Sequence, residues 1–239
     1  MDPHHHHHHH QHEHGSGLPN LAEANKAHFN ENAHNYDAIP YILEATKKIG
    51  EGILAAIPFD KESTTVLDYA CGTGLVANAL VPHSKSVTGV DISEGMIKQY
   101  IQRFEKQGVS SDKVKGICQE LKGEPGELDG AKFDVVVCSM AYHHFDPSTL
   151  QNTSTILASF LRPGGHLAIV DNEPTAGGAQ GDLPAQTIGK PDGFTSADME
   201  RIFSGAGLRS FSYSHLTQFE RRDGVQQRIF LAKAQKPSL

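Results

Sequence analysis

Short runs of consecutive apolar residues alternate along the chain with longer stretches in which apolar residues recur at helical spacing. A run that stays apolar at successive positions is typical of a parallel strand covered on both faces. Such runs predict five strands, at residues 66–70, 86–91, 114–118, 133–140 and 166–171. The stretches between and before them predict helices at residues 20–33, 41–57, 75–80, 93–107 and 148–161. This alternation predicts an α/β fold built on a mostly parallel sheet.

The last part of the sequence has a different pattern. Residues 195–205 predict a further helix, and two stretches in which polar and apolar residues alternate follow it, at residues 208–219 and 225–233. Between these stretches, Asp223-Gly224 is a typical turn of a β-hairpin. A helix and two antiparallel strands are therefore expected here.

Residues 1–17 combine an unbroken histidine run with a Gly-Ser linker, which predicts a disordered expression tag and not a metal site. They hold nine of the 16 histidines and two of the 28 acidic residues, so 26 acidic residues remain against 21 basic ones. This mild acidity argues against nucleic acid or an anionic membrane as a main partner, and no apolar run has transmembrane length. We expect residues 18–239 to form a single cytoplasmic domain, as a monomer or a homodimer.

The cysteines are odd in number and widely spaced, at or near the predicted strands. Cys71, Cys118 and Cys138 do not have the spacing of zinc ligands. We expect buried free thiols in a reducing compartment, and no bound metal.

A glycine-rich turn follows the first predicted strand and leads directly into a helix. Gly72 and Gly74 allow a sharp turn and a close approach to a ligand, because neither has a Cβ atom. The free N–H groups of such a turn suit a carboxylate or a phosphate. The spacing Gly72-x-Gly74-x-x-Ala77 fits the dinucleotide fingerprint. Asp68, just before the glycines, would however repel a pyrophosphate and would suit an ammonium group.

The pattern Asp68-x-Ala70-Cys71-Gly72-x-Gly74 resembles the first motif of class I S-adenosylmethionine (SAM)-dependent methyltransferases. SAM carries a carboxylate, an ammonium and a sulfonium group, which a surface of acid and N–H groups would suit. The resemblance extends over residues 28–235 and includes a second motif, the turn at residues 161–165. It implies a Rossmann-like three-layer αβα fold with strand order 3-2-1-4-5-7-6, the last strand antiparallel, and SAM as cofactor. The cofactor-binding residues implied in the first motif are Asp68, Ala70, Gly72, Thr73 and Gly74.

Asp91 ends the second predicted strand, 19 residues after the first glycine of the turn. An acid at this place accepts ribose hydroxyls in dinucleotide folds, and a carboxylate can accept from two vicinal hydroxyls. The pattern Asp91-x-Ser93-x-x-Met96 also resembles a family motif, and Ser93 is expected to cap the next helix. Ile92 and Met96 would contact the adenine, or else belong to the core. Gln119 follows the third predicted strand, where the resemblance implies a partner for the adenine amino group.

Residues 29–37 resemble the opening motif of ubiquinone-biosynthesis-type methyltransferases, where it caps the bound SAM. The resemblance implies that Phe29 and Tyr36 provide apolar cover for the cofactor; the alternative is that these aromatic residues pack on the core. Residues 172–193 are rich in Gly, Pro, Ala and Gln and long for a plain connection. They predict a substrate-side loop or lid, with a disordered insertion as the alternative.

The fourth predicted strand runs into Ser139 and Met140 and then a histidine pair, His143 and His144. The resemblance implies that Ser139 and Met140 contact the cofactor. The carboxyl end of a strand is where an open α/β sheet exposes its ligand, and the pattern resembles that of the family. This place lacks the Asn-Pro-Pro-Tyr of the adenine-N6 and glutamine-N methylating subfamilies. Either histidine could be a general base, since its pKa is near neutrality, or could only shape the pocket. We expect His143 to face the acceptor and His144 to be structural, with no acid partner signalled nearby.

The sequence therefore predicts a SAM-dependent methyltransferase that acts by in-line displacement on an O, S, N or C atom of a small-molecule acceptor, with S-adenosylhomocysteine as product. A protein or RNA methyltransferase should carry an extra recognition domain or a basic face, and the sequence shows neither. A non-catalytic SAM-binding regulatory subunit is a further alternative, and a dehydrogenase a minor one. No nucleic-acid or membrane partner is expected.

Overall fold

The continuous apolar runs become neighbouring strands, because each of them has two faces to bury. The computed structural model describes residues 20–175 and 187–239. There, seven strands form one sheet in the order β3-β2-β1-β4-β5-β7-β6. The strands are β1 (Thr65–Tyr69), β2 (Ser86–Asp91), β3 (Val114–Cys118), β4 (Phe133–Ser139), β5 (Leu161–Asn172), β6 (Arg209–Glu220) and β7 (Gln226–Gln235).

Strands β1 to β5 run parallel, and β7 lies antiparallel between β5 and β6. The predicted strand order and the predicted antiparallel strand are confirmed. The turn before β7 reverses the chain tightly, because Gly224 adopts a φ of +81° and the Arg221 N–H donates to the Val225 carbonyl at 2.9 Å. Strands β6 and β7 therefore form the predicted hairpin.

Helices cover both faces of the sheet, which gives the predicted three layers. Helices α2, α3 and α4 pack on one face through an apolar cluster that includes Ile53, Leu80 and Phe104. Helices α5 and α6 pack on the other face through a cluster that includes Leu157 and Phe203. The helices in the described residues are α1 (Leu21–Tyr36), α2 (Pro40–Ala56), α3 (Leu75–Leu80), α4 (Glu94–Lys106), α5 (Leu150–Ser159) and α6 (Ser196–Gly205).

Two local expectations differ from the structure. The predicted turn at Arg162–Gly165 lies inside β5 as a bulge, because pairing with β4 holds at Leu161, breaks, and resumes at His166. The prediction of buried thiols is wrong for Cys118, which is exposed. Its strand, β3, is the edge of the sheet, and no further strand in residues 20–175 and 187–239 pairs with that side.

The predicted tag at residues 1–17 lies outside the described residues, as does the middle of the predicted lid, residues 176–186. In the part of the chain that the structure describes, no helix has the length and apolar character needed to cross a membrane. The same residues contain no group of three His, Cys, Asp or Glu side chains placed to hold a metal ion.

Replacing Gly50 of α2 by alanine should destabilise the fold, although alanine is the better helix former by about 1 kcal/mol. Helices α2 and α3 approach so closely that a Cβ atom at Gly50 would overlap the Cβ of Ala79. Overpacking of this kind costs about 1–3 kcal/mol, which denaturant unfolding would measure. Gly52→Ala is the matched control, because its Cβ would meet only the flexible end of Leu216, at 2.8 Å. Equal effects of the two substitutions would contradict the close packing of α2 on α3.

Candidate active site

The carboxyl ends of β1, β2 and β4 open into a cavity of about 230 Å³, and residues of α1 and α2 complete its lining. Eleven of the 13 residues predicted to bind the cofactor line this cavity, and so do both histidines of the predicted catalytic pair. The eleven are Phe29, Tyr36, Asp68, Ala70, Gly72, Thr73, Asp91, Ile92, Met96, Ser139 and Met140.

Gly74 and Gln119 are the two predicted residues that do not line the cavity. Gly74 precedes α3 with a φ of +90°, and a Cβ atom there would lie 3.0 Å from the ring of Tyr100. The absence of a side chain at Gly74 therefore serves the packing of the loop on α4. The Gln119 side chain lies near the carboxylate of Glu127, outside the lining of the cavity.

Two non-glycine residues of the lining adopt left-handed backbone conformations. Ala70 follows β1 and Met140 follows β4, each with a φ of +54°. A residue with a Cβ atom pays about 1–3 kcal/mol for such a conformation, which persists only where the surroundings impose it. These two strained residues directly follow the adjacent strands β1 and β4 at the floor of one cavity. No feature of the sequence indicates their backbone conformation.

Asp68, the acid that precedes the glycines, is 2% exposed and lines the cavity. Its Oδ2 atom has no hydrogen-bond partner among the described residues. Burial, and then the neighbouring Asp91 carboxylate, raises the pKa of Asp68 to about 8. A buried acceptor without a partner is unfavourable, so this position suits a ligand group that donates hydrogen bonds.

Asp91 connects two loops of the site. Its Oδ2 atom accepts a hydrogen bond from the Gly72 N–H, and its Oδ1 atom accepts one from the Ser93 N–H, both at 2.9 Å. Burial raises the pKa of Asp91, and these backbone hydrogen bonds oppose the increase. Each carboxylate oxygen can accept a second hydrogen bond, so the site retains the capacity to bind two hydroxyl groups.

Polar contacts fasten α1 to the side of the cavity formed by the glycine loop. At the end of the helix, Asp37 accepts a hydrogen bond from the Thr73 hydroxyl and forms an ion pair with Arg103 of α4. The Nε–H of Arg103 also donates to the Thr73 carbonyl at 2.9 Å. Earlier in the helix, Asn30 accepts a hydrogen bond from the hydroxyl of Ser93 at 2.6 Å. These contacts hold the predicted cover, α1, against both the glycine loop and α4.

His143 has an acid partner that the sequence did not signal. Its Nδ1 atom lies 2.9 Å from Oδ1 of Asp171, and its backbone N–H donates to Oδ2 of the same carboxylate at 3.2 Å. Both side chains are buried. Strands β4 and β5 are in register from Val135 to Ser139, which pairs with Val170, so Asp171 near the end of β5 lies beside the segment that follows β4. The expectation that no acid stands near the histidine pair is therefore wrong.

His144 has a different environment. Its Nδ1 atom lies 2.6 Å from the carbonyl oxygen of Thr187, and its ring packs edge-on against Phe29 of α1 at 5.2 Å between centroids. Burial, and then the neighbouring His143, lowers the pKa of His144 well below its usual range. Since the carbonyl only accepts, Nδ1 carries the proton of a neutral ring. His144 thus contacts both α1, through Phe29, and Thr187 of the predicted lid.

The remaining lining comes largely from α2, β7 and the hairpin region. Its apolar part includes Ile42, Ile49 and Phe219. The side chains of Asn172 and Gln227 are buried there, and each has an amide oxygen without a partner in residues 20–175 and 187–239. A mostly apolar wall with a few polar groups is typical of a site for a small organic molecule.

Comparison with known proteins gives this site a family. Residues 66–165 match the sequence model of the methyltransferase domain family. Residues 66–165 are therefore similar to a methyltransferase domain. An uncharacterised methyltransferase of Schizosaccharomyces pombe is 33% identical to the chain over 156 residues, which are 62% of this chain and 54% of that protein. The ubiquinone biosynthesis O-methyltransferase of Coxiella burnetii is 34% identical over 103 residues, 43% of this chain and 41% of that protein. The chain thus spans about half the length of these relatives.

Solved structures of low sequence identity share the fold of this methyltransferase domain. The complex of DhpI with S-adenosylhomocysteine is 20% identical, with a TM-score of 0.67 over 92% of this chain and 99% of that chain. The N-methyltransferase NodS of Bradyrhizobium japonicum, with S-adenosylhomocysteine, is 17% identical, with a TM-score of 0.64 over 92% of this chain and 100% of that chain. The [4+2]-cyclase SpnF has a TM-score of 0.63 at 14% identity, over 81% of this chain and 82% of that chain. The fold alone therefore does not decide the reaction.

The DhpI and NodS structures both hold S-adenosylhomocysteine, the product of the predicted cofactor SAM, and the cavity of this chain fits SAM. The partnerless carboxylate oxygen of Asp68 suits the ammonium group, and the spare acceptor capacity of Asp91 suits the ribose hydroxyls. Gly72 has a φ of +57°, and the position that a Cβ atom would take there has no atom within 4 Å. A ligand can therefore approach the loop backbone directly at Gly72.

Replacing Arg103 by methionine should weaken the affinity for S-adenosylhomocysteine about tenfold, which corresponds to ~1.4 kcal/mol. The substitution removes the cation that joins Asp37 to the glycine loop while keeping the length of the side chain. Isothermal titration would measure the change. Arg201→Met is the matched control, since Arg201 forms an exposed ion pair with Asp198. Equal affinities for the two variants would contradict the role of Arg103 in holding α1 over the cofactor.

Proposed function

We propose that the chain transfers the methyl group of SAM to an oxygen atom of a small, mostly apolar acceptor. One observation carries the proposal: His143, which is buried and paired with Asp171, lines the same cavity as Asp68, Asp91 and the glycine loop. A base and a cofactor site that share one cavity provide what the methylation of a hydroxyl group requires. SAM, when bound, supplies a sulfonium methyl group that a nucleophile displaces in line.

In this mechanism, His143 removes the proton of the acceptor. Asp171 accepts a hydrogen bond from Nδ1–H, which leaves the lone pair of the neutral ring on Nε2. The carboxylate stabilises the imidazolium ring that forms when Nε2 takes the proton. The ring of His144 lies 4.1 Å from that of His143 between centroids, and its neutral state avoids a second positive charge beside the first.

Positioning contributes as much as proton transfer to a displacement of this kind. Ordering of two reactants in line can supply about 7–11 kcal/mol in favourable systems. In this chain α1 and α2 enclose the cavity, and apolar residues such as Ile42 and Phe219 exclude water from it. Loss of charge from the sulfonium is favoured in such a dry pocket.

Two features support a small-molecule acceptor and an oxygen nucleophile. The lining combines apolar side chains with the buried amides of Asn172 and Gln227, a composition that fits an organic molecule bearing hydrogen-bond donors. Two relatives are O-methyltransferases by name, the ubiquinone biosynthesis enzyme above and the malonyl-[acyl-carrier protein] O-methyltransferase of Acetivibrio thermocellus. The cytoplasmic location, the oligomeric state and the absence of a nucleic-acid partner stay predictions.

A screen with isotope-labelled SAM over phenols, carboxylic acids, thiols and amines tests this function. We expect methyl transfer to phenols or carboxylic acids, and binding of S-adenosylhomocysteine but not of NAD in isothermal titration. Labelling of protein or RNA from a cell extract, with no small molecule methylated, would contradict the small-molecule acceptor. Binding of NAD in place of S-adenosylhomocysteine would contradict methyl transfer altogether.

Replacing His143 by glutamine should lower turnover about 10²–10⁴-fold without changing the affinity for S-adenosylhomocysteine. For an acidic acceptor the loss should shrink as the pH rises, because the acceptor then ionises without a base. Asp171→Asn should show the same trend, because an amide no longer fixes the proton on Nδ1. His144→Gln is the control, with a smaller loss and no such trend, since Nδ1 of His144 is bound to a carbonyl. Parallel pH–rate profiles for the parent and His143→Gln would rule out the base.

A further inference from the structure

Two carboxylates stand side by side in the cofactor site without a cation between them. Asp68 lies near the end of β1 and Asp91 at the end of β2, and these strands are parallel neighbours. Among the described residues, neither acid forms an ion pair, and Asp68 has an oxygen with no hydrogen-bond partner. The permanent cation of the described lining, Arg221, belongs to the turn between β6 and β7 and pairs with Asp223.

The other titratable groups around Asp68 provide no positive charge either. They are Cys71 of the glycine loop, Tyr100 of α4 and Cys138 of β4, in addition to Asp91. Tyr100 and Cys138 are fully buried, and the Tyr100 hydroxyl has no partner in the described part of the chain. An acid in such surroundings is more stable as the neutral carboxylic acid, because a low dielectric and a like charge both disfavour ionisation.

We propose that Asp68 is a neutral carboxylic acid in the free protein and loses its proton when the ammonium group of the cofactor binds, so that cofactor binding releases a proton. The inference rests on the proposed cofactor site and adds a property of that site. The charge balance is simple: the O–H bond of Asp68 breaks, the proton passes to solvent, and the carboxylate pairs with the ammonium group. Asp91 keeps its two backbone hydrogen bonds throughout.

The sign of the pH effect follows from the raised pKa of about 8 for Asp68. Below that pH the free protein holds the proton, and each binding event must release it, so the affinity increases as the pH rises. At pH 7.0 an acid of this pKa is about 90% protonated, so about 0.9 proton should be released. Between pH 6.0 and 7.5 the affinity should increase about 25-fold.

Isothermal titration of the full chain with S-adenosylhomocysteine at pH 7.0 tests the proposal. The measurement is made in phosphate and in Tris, which differ in their enthalpy of ionisation, so that the difference in heat gives the number of protons released. We expect about 0.9 proton for the parent chain and none for Asp68→Asn, whose amide cannot titrate. The ligand control is 5′-methylthioadenosine, which lacks the amino-acid end and should release no proton.

Several outcomes would overturn the proposal. They are no proton release by the parent chain, equal release with 5′-methylthioadenosine, or undiminished release by Asp68→Asn. If that variant fails to fold, the affinity of the parent between pH 6.0 and 7.5 decides, since a constant affinity contradicts the proposal. Failure of the parent chain to bind S-adenosylhomocysteine at all would instead contradict the proposed function.

Discussion

The carboxylate of Asp91 is bound by the N–H groups of Gly72 and Ser93, and these two hydrogen bonds fix the loops that follow β1 and β2. The strands are parallel neighbours in register, with Tyr69 opposite Val90, so their carboxyl ends lie together. The side chain of Asp91 therefore shapes the glycine turn, which is proposed to bind the amino-acid end of the cofactor. Asp91 is also the proposed ligand of the ribose. The two halves of the cofactor site depend on each other through this acid.

The strands of the parallel region could be located from the sequence because a strand covered on both faces must be apolar at successive positions. Strands β2 and β3 begin and end at the predicted residues, although polar residues such as Thr88 and Lys115 interrupt their apolar positions. The order of the strands came from the family resemblance, since a hydrophobic pattern does not reveal which strands are neighbours. Asp91 could be found because its distance from the glycine turn is set by the strand–helix–strand unit itself.

The pairs that the sequence did not reveal join residues far apart in the chain. Asp171 lies 28 residues from His143, and Arg103 lies 66 residues from Asp37. Such pairs depend on the register of neighbouring strands or on how helices dock, which local patterns do not encode. Asp171 does leave one usable signal, because it is an acid at the end of a long apolar run. Gln119 lies outside the cavity lining, and its role as a partner of the adenine amino group stays a prediction.

Helix α1 covers the cofactor side of the cavity but contributes little to the apolar core. Its buried residues are Asn25 and Ala33, and polar contacts such as the Asp37–Arg103 ion pair hold it in place. Segments with few buried apolar contacts open at a lower free energy than the elements of the core. We therefore expect the helix to lift without disturbing the sheet, which would let a spent cofactor leave and a fresh one enter.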